Sequence, residues 1–244
     1  MVNLSVNVNK VATVRNSRGG TTPSVVDAVR VCLDAGVFGI TVHPRADERH
    51  IRPQDVHDIA RLLASHDRPV ELNVEGDPRP DLIALVHEVR PAQCTLVPVR
   101  PGEITSEAGW TADTARDRLG GVIAGLQRDG VRVSLFVDPV EEGIRLARSV
   151  GADRVELYTE PYARAFEASA DEAEQSFARY SSAAELAHGL GLGINAGHDL
   201  DLDNLVLFRE LPHLTEVSIG HALISRALFV GLDRVVREYL DVLS

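Results

Sequence analysis

Several scarcities in this chain of 244 residues narrow what it can be. It has two cysteines, one methionine, one tryptophan and only 5% aromatic residues. Cys32 and Cys94 sit in apolar contexts, VRVCLDAG and AQCTLVPV, without CxxC spacing, so they read as reduced, buried thiols rather than a disulfide or a thiolate metal site. Lys10 is the only lysine, no Lys/Arg-rich block occurs, and the formal net charge is −11. A field of that sign repels nucleic acid and anionic membranes, so neither is expected as a partner. No run approaches the roughly 18 apolar residues of a membrane span, and the start, MVNLSVNVNK, has neither a charged nor an apolar leader region. A soluble, cytoplasmic protein is expected. GxGxxG, a Walker loop, HExxH, HxH and closely spaced carboxylate pairs are all missing, so no cofactor and no metal are expected. RGGTTP (18–23) carries adjacent glycines but reads as a loop and helix cap. There is no repeat, low-complexity tract or long linker.

What is present is an alternation of short β-branched runs with amphipathic segments. The runs are LSVNVN (4–9), GITVH (39–43), VELNVEG (70–76), QCTLVPV (93–99), VRVSLFVD (131–138), RVELYT (154–159), GLGINAG (191–197) and EVSIGH (216–221). Between them, segments 23–36, 55–66, 80–89, 114–130, 141–151 and 222–240 show 3.6-residue apolar periodicity, and glycines at 36, 130 and 151 mark helix ends. Eight strand–helix units with short links predict one (β/α)8 TIM barrel over residues 1–244; a doubly wound open sheet is the rival. The polar stretch 160–188 predicts an extra or lengthened helix after strand six.

Side chains alternate faces along a strand, and six of the runs share one phase. Val6, Ile40, Val42, Leu72, Val74, Val155, Leu157, Ile194, Val217 and Ile219 form an apolar set facing the helices. Asn7, Asn9, Thr41, His43, Asn73, Glu75, Glu156, Tyr158, Asn195, Gly197, Ser218 and Gly220 form a polar or small set facing the axis. The last polar member of each run falls at its C-terminal end, where barrels of this kind build active sites. Any one of these residues alone reads equally as a satisfied interior group; together at one end they point to a site. Glu75 and His43 suit general acid–base work, and His198 follows a glycine turn. Gly220 opens a helix whose N–H groups can meet an anion. Arg15, Arg18, Arg45 and Arg49, in the first two strand–helix loops, form a cationic rim suited to phosphate or carboxylate. Lys10 can hold phosphate or form a Schiff base.

Eight stretches resemble the pyridoxine 5′-phosphate synthase family of vitamin B6 biosynthesis: VNVNKVATVRNSRG (6–19), GITVHPRADERHI (39–51), LNVEG (72–76), LVPVRPGEITSEAG (96–109), VSLFVD (133–138), VELYTEPYA (155–163), INAGHDL (194–200) and IGHALISRA (219–227). The resemblance spans nearly the whole chain. It implies a barrel, octameric in the family, that joins 1-deoxy-D-xylulose 5-phosphate to 3-amino-2-oxopropyl phosphate without metal or organic cofactor. By motif, it makes His43 and Glu75 proton acceptors, His198 a proton donor and Glu156 a stabiliser of developing charge. Asn7, Arg18, Gly220 and His221 would hold the aminooxopropyl phosphate, and Arg45, His50 and Thr105 the deoxyxylulose phosphate. The chain departs from the family pattern at Asn9 and Lys10, where Asp and His are usual, at Tyr158 and Glu160, where His and Gly are usual, and at Asp199, where Gly is usual. Asn9 loses any acid–base role, Lys10 keeps a cation for phosphate, and Asp199 brings a negative charge beside a phosphate site unless it turns outward or caps a helix. Asn9, Lys10 and Asp199 are therefore counted with the substrate-binding set. Two alternatives stay open, another phosphosugar barrel enzyme (a Schiff-base aldolase through Lys10, or an isomerase) and a non-catalytic phospho-ligand binder.

Overall fold

A computed structural model of the chain describes residues 1–98, 108–111 and 114–244. Among these residues eight strands run parallel: β1 (Asn3–Asn7), β2 (Gly39–Val42), β3 (Glu71–Gly76), β4 (Gln93–Leu96), β5 (Arg132–Val137), β6 (Arg154–Tyr158), β7 (Gly193–Gly197) and β8 (Leu214–Ile219). Each pairs with the next, and β8 pairs with β1, so the sheet closes. The expected TIM barrel is the observed fold, and the open-sheet rival is excluded by that last pairing.

The two-residue alternation sets what lies on each side of the wall. In register around the barrel, Val6 pairs with Ile40, Ile40 with Leu72, Val74 with Cys94, Cys94 with Val133, and Leu135 with Val155. This ring faces the helices and forms the main apolar core. The opposite phase fills the axis with polar groups. Ser5 Oγ lies 2.7 Å from Thr41 Oγ1, and Thr95 Oγ1 donates to Asn73 Oδ1 at 3.0 Å. At the N-terminal mouth Arg132 is ion-paired with Glu71 and donates to Gln93 Oε1 at 3.0 Å. Beside it Arg154 donates to Asn195 Oδ1 at 3.0 Å and stands 3.6 Å from Glu216. One end of the axis is thus filled by arginines paired with Glu71 and Glu216.

The helices α2 (Val25–Ala35), α3 (Pro53–Ala64), α4 (Pro80–Val89), α5 (Arg116–Arg128) and α6 (Glu141–Ser149) follow the amphipathic segments read from sequence. Three details differ, and a fourth, the extra helix expected after β6, is present. The first run ends at Asn7, and Asn9 opens a short helix α1 (Asn9–Asn16), capped at its start by Asn7 Oδ1 accepting from the Asn9 N–H at 3.0 Å. The polar stretch after β6 is two helices, α7 (Glu160–Ala168) and α8 (Ala170–Gly189), because Ser169 leaves the helical conformation and its Oγ caps α8 by accepting from Glu172 N. A one-turn helix α9 (Leu205–Phe208) follows β7. The segment after β8 breaks into α10 (His221–Val230) and α11 (Leu232–Leu243) at Gly231, whose φ of 90° no helix accommodates.

Candidate active site

At the C-terminal mouth a cavity of about 490 Å³ opens over the barrel axis. The ends of β1, β2, β3, β6, β7 and β8 bring Asn7, His43, Glu75, Glu156, His198 and Gly220 to its wall, and Asn9, Lys10, Arg45, His50, Asp199 and His221 join them from the loops and helix starts. Sequence reasoning placed all of these at one mouth. Thr105 lies outside the described residues. Arg18 stands exposed beyond the end of α1 and does not line the cavity. A second cavity of about 530 Å³, lined by Arg79, Trp110 and Arg118 among others, contains none of the residues singled out from sequence.

The rim arginines divide. Arg15, expected on the rim, is instead buried: its guanidinium holds Asp55 through contacts of 2.5 and 2.9 Å, and Nη2 donates to the His50 carbonyl at 3.2 Å. Asp55 also accepts from Arg52 N at 2.8 Å, capping α3, so both carboxylate oxygens are engaged. Arg15 belongs to the support of the second loop, and Asn16 reinforces it by donating to the same His50 carbonyl at 2.8 Å. Arg79, given no role from sequence, ties down the same loop by donating to the Pro44 carbonyl at 2.5 Å while paired with Asp77 and Asp81. Arg45 and Arg49 do line the cavity, with Arg49 Nε donating to Asp47 at 2.7 Å.

Two histidines sit in this framework as neutral rings. His50 Nδ1 accepts from the Ile51 N–H at 2.9 Å, so its ring proton is on Nε2. Burial, with Arg45, Lys10 and Arg49 nearby, lowers its pKa to about 4. His43 is pushed further, to about 3, by burial and then by His50, Arg45 and Arg79. Its backbone N–H is fixed by Asn9 Oδ1 at 2.9 Å, a bond that needs only an acceptor and that an amide makes as well as a carboxylate. His43 Nε2 is buried without a hydrogen-bond partner among the described residues, and Nδ1 stands 3.9 Å from Glu75 Oε2. Burial, followed by Glu156 and Glu216, raises the Glu75 carboxyl well above its usual range. At 3.9 Å the two groups are not hydrogen-bonded, and a carboxyl raised and an imidazole lowered by burial both disfavour an ion pair, which suits each to acid–base work on a reactant placed between them.

Glu156, buried on β6, is pushed up to about 7 by burial and by Glu216, and opposed by Thr95, whose hydroxyl reaches Glu156 Oε2 at 3.3 Å. A side chain at Gly197 would put its Cβ 2.7 Å from Glu156 Oε1, so glycine there makes room for the carboxylate. Gly220 plays the same part at the start of α10, where a Cβ would stand 3.0 Å from Asn7 Cβ. His198 follows β7 with its ring edge-on to Tyr158 at 5.1 Å and Nδ1 2.9 Å from Asp199 Oδ2. Asp199 is partly exposed at the rim of the cavity and spends its carboxylate on the His198 ring, capping no helix among the described residues. Val97, Phe136 and Tyr158 form a small apolar cluster on the same side of the barrel, and Val97 and Phe136 line the cavity. Tyr158 was read from sequence as facing the axis, whereas Val97, Phe136 and Thr95 were missed, although the alternation Gln93, Thr95 and Ser134, Phe136 continues the inward phase through β4 and β5.

The cavity thus opposes a cationic sector, from the ends of β1 and β2, to buried carboxyls on β3 and β6. This is an arrangement for anchoring anionic substrate groups at the mouth while moving protons at the buried groups beneath it. Among the described residues no group of three or more His, Cys, Asp or Glu is placed to hold a metal ion. Residues 4–244 match the family model described as pyridoxal phosphate biosynthesis protein PdxJ. The chain belongs to the PdxJ family. Curated relatives named pyridoxine 5′-phosphate synthase agree with this: that of Christiangramia forsetii is 50% identical over 245 residues, and that of Bacteroides fragilis strain YCH46 is 51% identical over 244, each covering 100% of both chains. Solved structures share the fold alone with this PdxJ member. Thiamine phosphate pyrophosphorylase from Pyrococcus furiosus superposes with a TM-score of 0.64 at 12% identity, covering 99% of this chain and 95% of its own. An aldolase from TTHB1, described as 4-hydroxy-2-oxoglutarate/2-deydro-3-deoxyphosphogluconate aldolase, gives 0.62 at 17%, covering 99% and 94%.

Proposed function

We propose that this chain is a pyridoxine 5′-phosphate synthase, condensing 1-deoxy-D-xylulose 5-phosphate with 3-amino-2-oxopropyl phosphate to give pyridoxine 5′-phosphate, phosphate and water. The observation that carries the reading is that His43, Glu75, Glu156 and His198 line one cavity with a cationic side, in a chain half identical over its full length to relatives of that name. The amine of one substrate attacks the carbonyl of the other and water leaves to form an imine; phosphate is then eliminated, water adds, and ring closure with loss of two further waters completes the aromatic product. Each step moves a proton at a fixed place, which is what positioned acids and bases supply. Glu75 and His43 accept protons from the reactants, Glu156 offsets positive charge developing on the imine, and His198 returns a proton to a leaving oxygen. Lys10, Arg45 and the Nε2–H of His50 face the deoxyxylulose phosphate, and Asn7, Gly220 and His221 hold the aminooxopropyl phosphate at the start of α10. The Schiff base forms between the two substrates. Lys10 lies exposed at the edge of the cavity, without the desolvation that activates an enzyme amine.

The test is a coupled assay on protein treated with chelator. Product is expected, with Glu75→Gln and His43→Asn lowering kcat about 10²–10⁴-fold and Arg45→Ala chiefly raising KM. Substrate binding without product would overturn the reading. The two buried cysteines fit a cytoplasmic enzyme. Assembly into an octamer is part of the same proposal, supported by Leu228 and Phe229, 73% and 88% exposed side by side on α10. Sedimentation velocity checks it: Phe229→Glu should yield smaller species, and a monomeric wild type would refute it.

A further inference from the structure

We infer that Asp199 is a positioning residue that orients His198, fixing the proton on Nδ1 so that all proton exchange with the reactants runs through Nε2. The inference rests on the synthase reading for its catalytic consequence, and on geometry alone for the tautomer.

Three observations carry it. First, the carboxylate meets the ring directly, Asp199 Oδ2 lying 2.9 Å from His198 Nδ1. A carboxylate can only accept, so Nδ1 must be the protonated nitrogen. The hydrogen bond to His198 holds the Asp199 carboxyl below its usual range, with His221 and Arg164 acting in the same direction, so it remains an acceptor throughout neutral pH.

Second, the backbone is bent to make this contact. His198 and Asp199 both have positive φ, 91° and 58°. Two consecutive non-glycine residues in that region are uncommon, and a glycine would occupy position 199 without strain. The conformation is held from outside: the Thr159 hydroxyl donates to the carbonyls of Gly197 and His198, and Asn204 Nδ2 donates to the Asp199 carbonyl at 3.1 Å. A strained turn fixed on both sides, with the two side chains brought together at its tip, is the pattern of backbone strain kept for function.

Third, the ring is confined on its other side. Tyr158 packs edge-on at 5.1 Å, and burial raises its phenol to about 12, so that it stays neutral. The ring cannot rotate to offer Nδ1 to the cavity without losing both the carboxylate and this contact. With Nδ1 committed, a neutral His198 takes a proton at Nε2, and the imidazolium so formed, stabilised by Asp199, returns it from the same atom. The ionisable groups acting on Asp199 besides His198 are His221 from α10 and Arg164 from α7; Tyr158 beside the ring is itself acted on by Glu160, Asp138 and Arg164, and Glu156 lines the same cavity.

The experiment uses full-length protein labelled with ¹⁵N-histidine, studied by magic-angle-spinning NMR at pH 8 with His198→Gln identifying the signals of His198. In the wild type Nδ1 should be the protonated nitrogen. In Asp199→Gly the Nε2–H form should appear, kcat should fall roughly 10–100-fold with KM within about threefold, and the melting temperature should hold or rise because the backbone strain is gone. Asp199→Asn, which tolerates the same φ, should lower kcat at unchanged melting temperature. A wild-type ring protonated at Nε2, a tautomer unaltered in Asp199→Gly, or unchanged kcat in both variants would overturn the inference. Absence of synthase activity in the wild type would refute the functional reading instead, and the nitrogen spectra would still decide the tautomer.

Discussion

At the scale of single residues, the Thr95 hydroxyl has one proton and two acceptors in reach, Asn73 Oδ1 at 3.0 Å and Glu156 Oε2 at 3.3 Å. An ionised Glu156 draws that proton to itself, and a protonated one releases it to Asn73. Removing the hydroxyl takes away a hydrogen bond to the charged form, so Thr95→Val should raise the Glu156 pKa by about one unit, the order expected for one bond to a charged group. Infrared titration of the protonated-carboxyl band that disappears in Glu156→Gln measures this; an unmoved or lowered midpoint would show that Thr95 does not act on Glu156. Glu156 itself was legible in the sequence as an inward member of VELYT, but Thr95, 61 positions away, was not. Arg15 shows the same limit from the other side. Its loop and charge were legible, yet Asp55, 40 residues on, takes its guanidinium out of the rim.

At the scale of elements, the strands were readable because alternation is a local property of the chain, and each observed strand falls within or beside its expected run. The errors have physical causes. β1 stops at Asn7 because that side chain captures the Asn9 N–H and starts a helix, so Asn9 reaches the cavity from α1 instead of along a strand. The polar set survives this change because only direction into the mouth matters. α1 and α9 were missed since eight and four residues are too few to display an apolar period. The break between α10 and α11 needed Gly231 to be weighed as a stop rather than a tolerated interior glycine.

At the scale of the whole molecule, burying carboxyls and histidines around one axis gives the fold an unusual pH dependence. Glu156 and Glu216 are raised to about 7, both chiefly by burial, from a reference of 4.5. Between those values the folded state keeps protons that the unfolded chain has released, so this contribution to stability falls as pH rises through the window. His43 and His50 are lowered to about 3 and about 4 from 6.5, so the folded state lacks protons the unfolded chain binds, and their contribution rises with pH up to 6.5. The two trends oppose one another below 6.5, and only the carboxyl penalty continues to change above it. Glu156→Gln removes part of that penalty. Calorimetry should find the variant melting several degrees above the wild type at pH 8, consistent with up to about 3 kcal/mol for a group of this kind, with little difference at pH 4. An equal change at both pH values would place the effect in packing instead of ionisation.

The sequence by itself determined the barrel, the inward phase of its strands and the end of the axis at which the polar residues gather, because all three follow from a two-residue period written locally along the chain. The tertiary structure decided which groups meet: Arg15 with Asp55, Thr95 with Glu156, Glu75 with His43, and the turn that folds Asp199 back onto His198. Those pairings depend on strand register, on barrel closure and on loop dihedral angles. These are fixed by the packing of the whole chain and leave no period in its sequence.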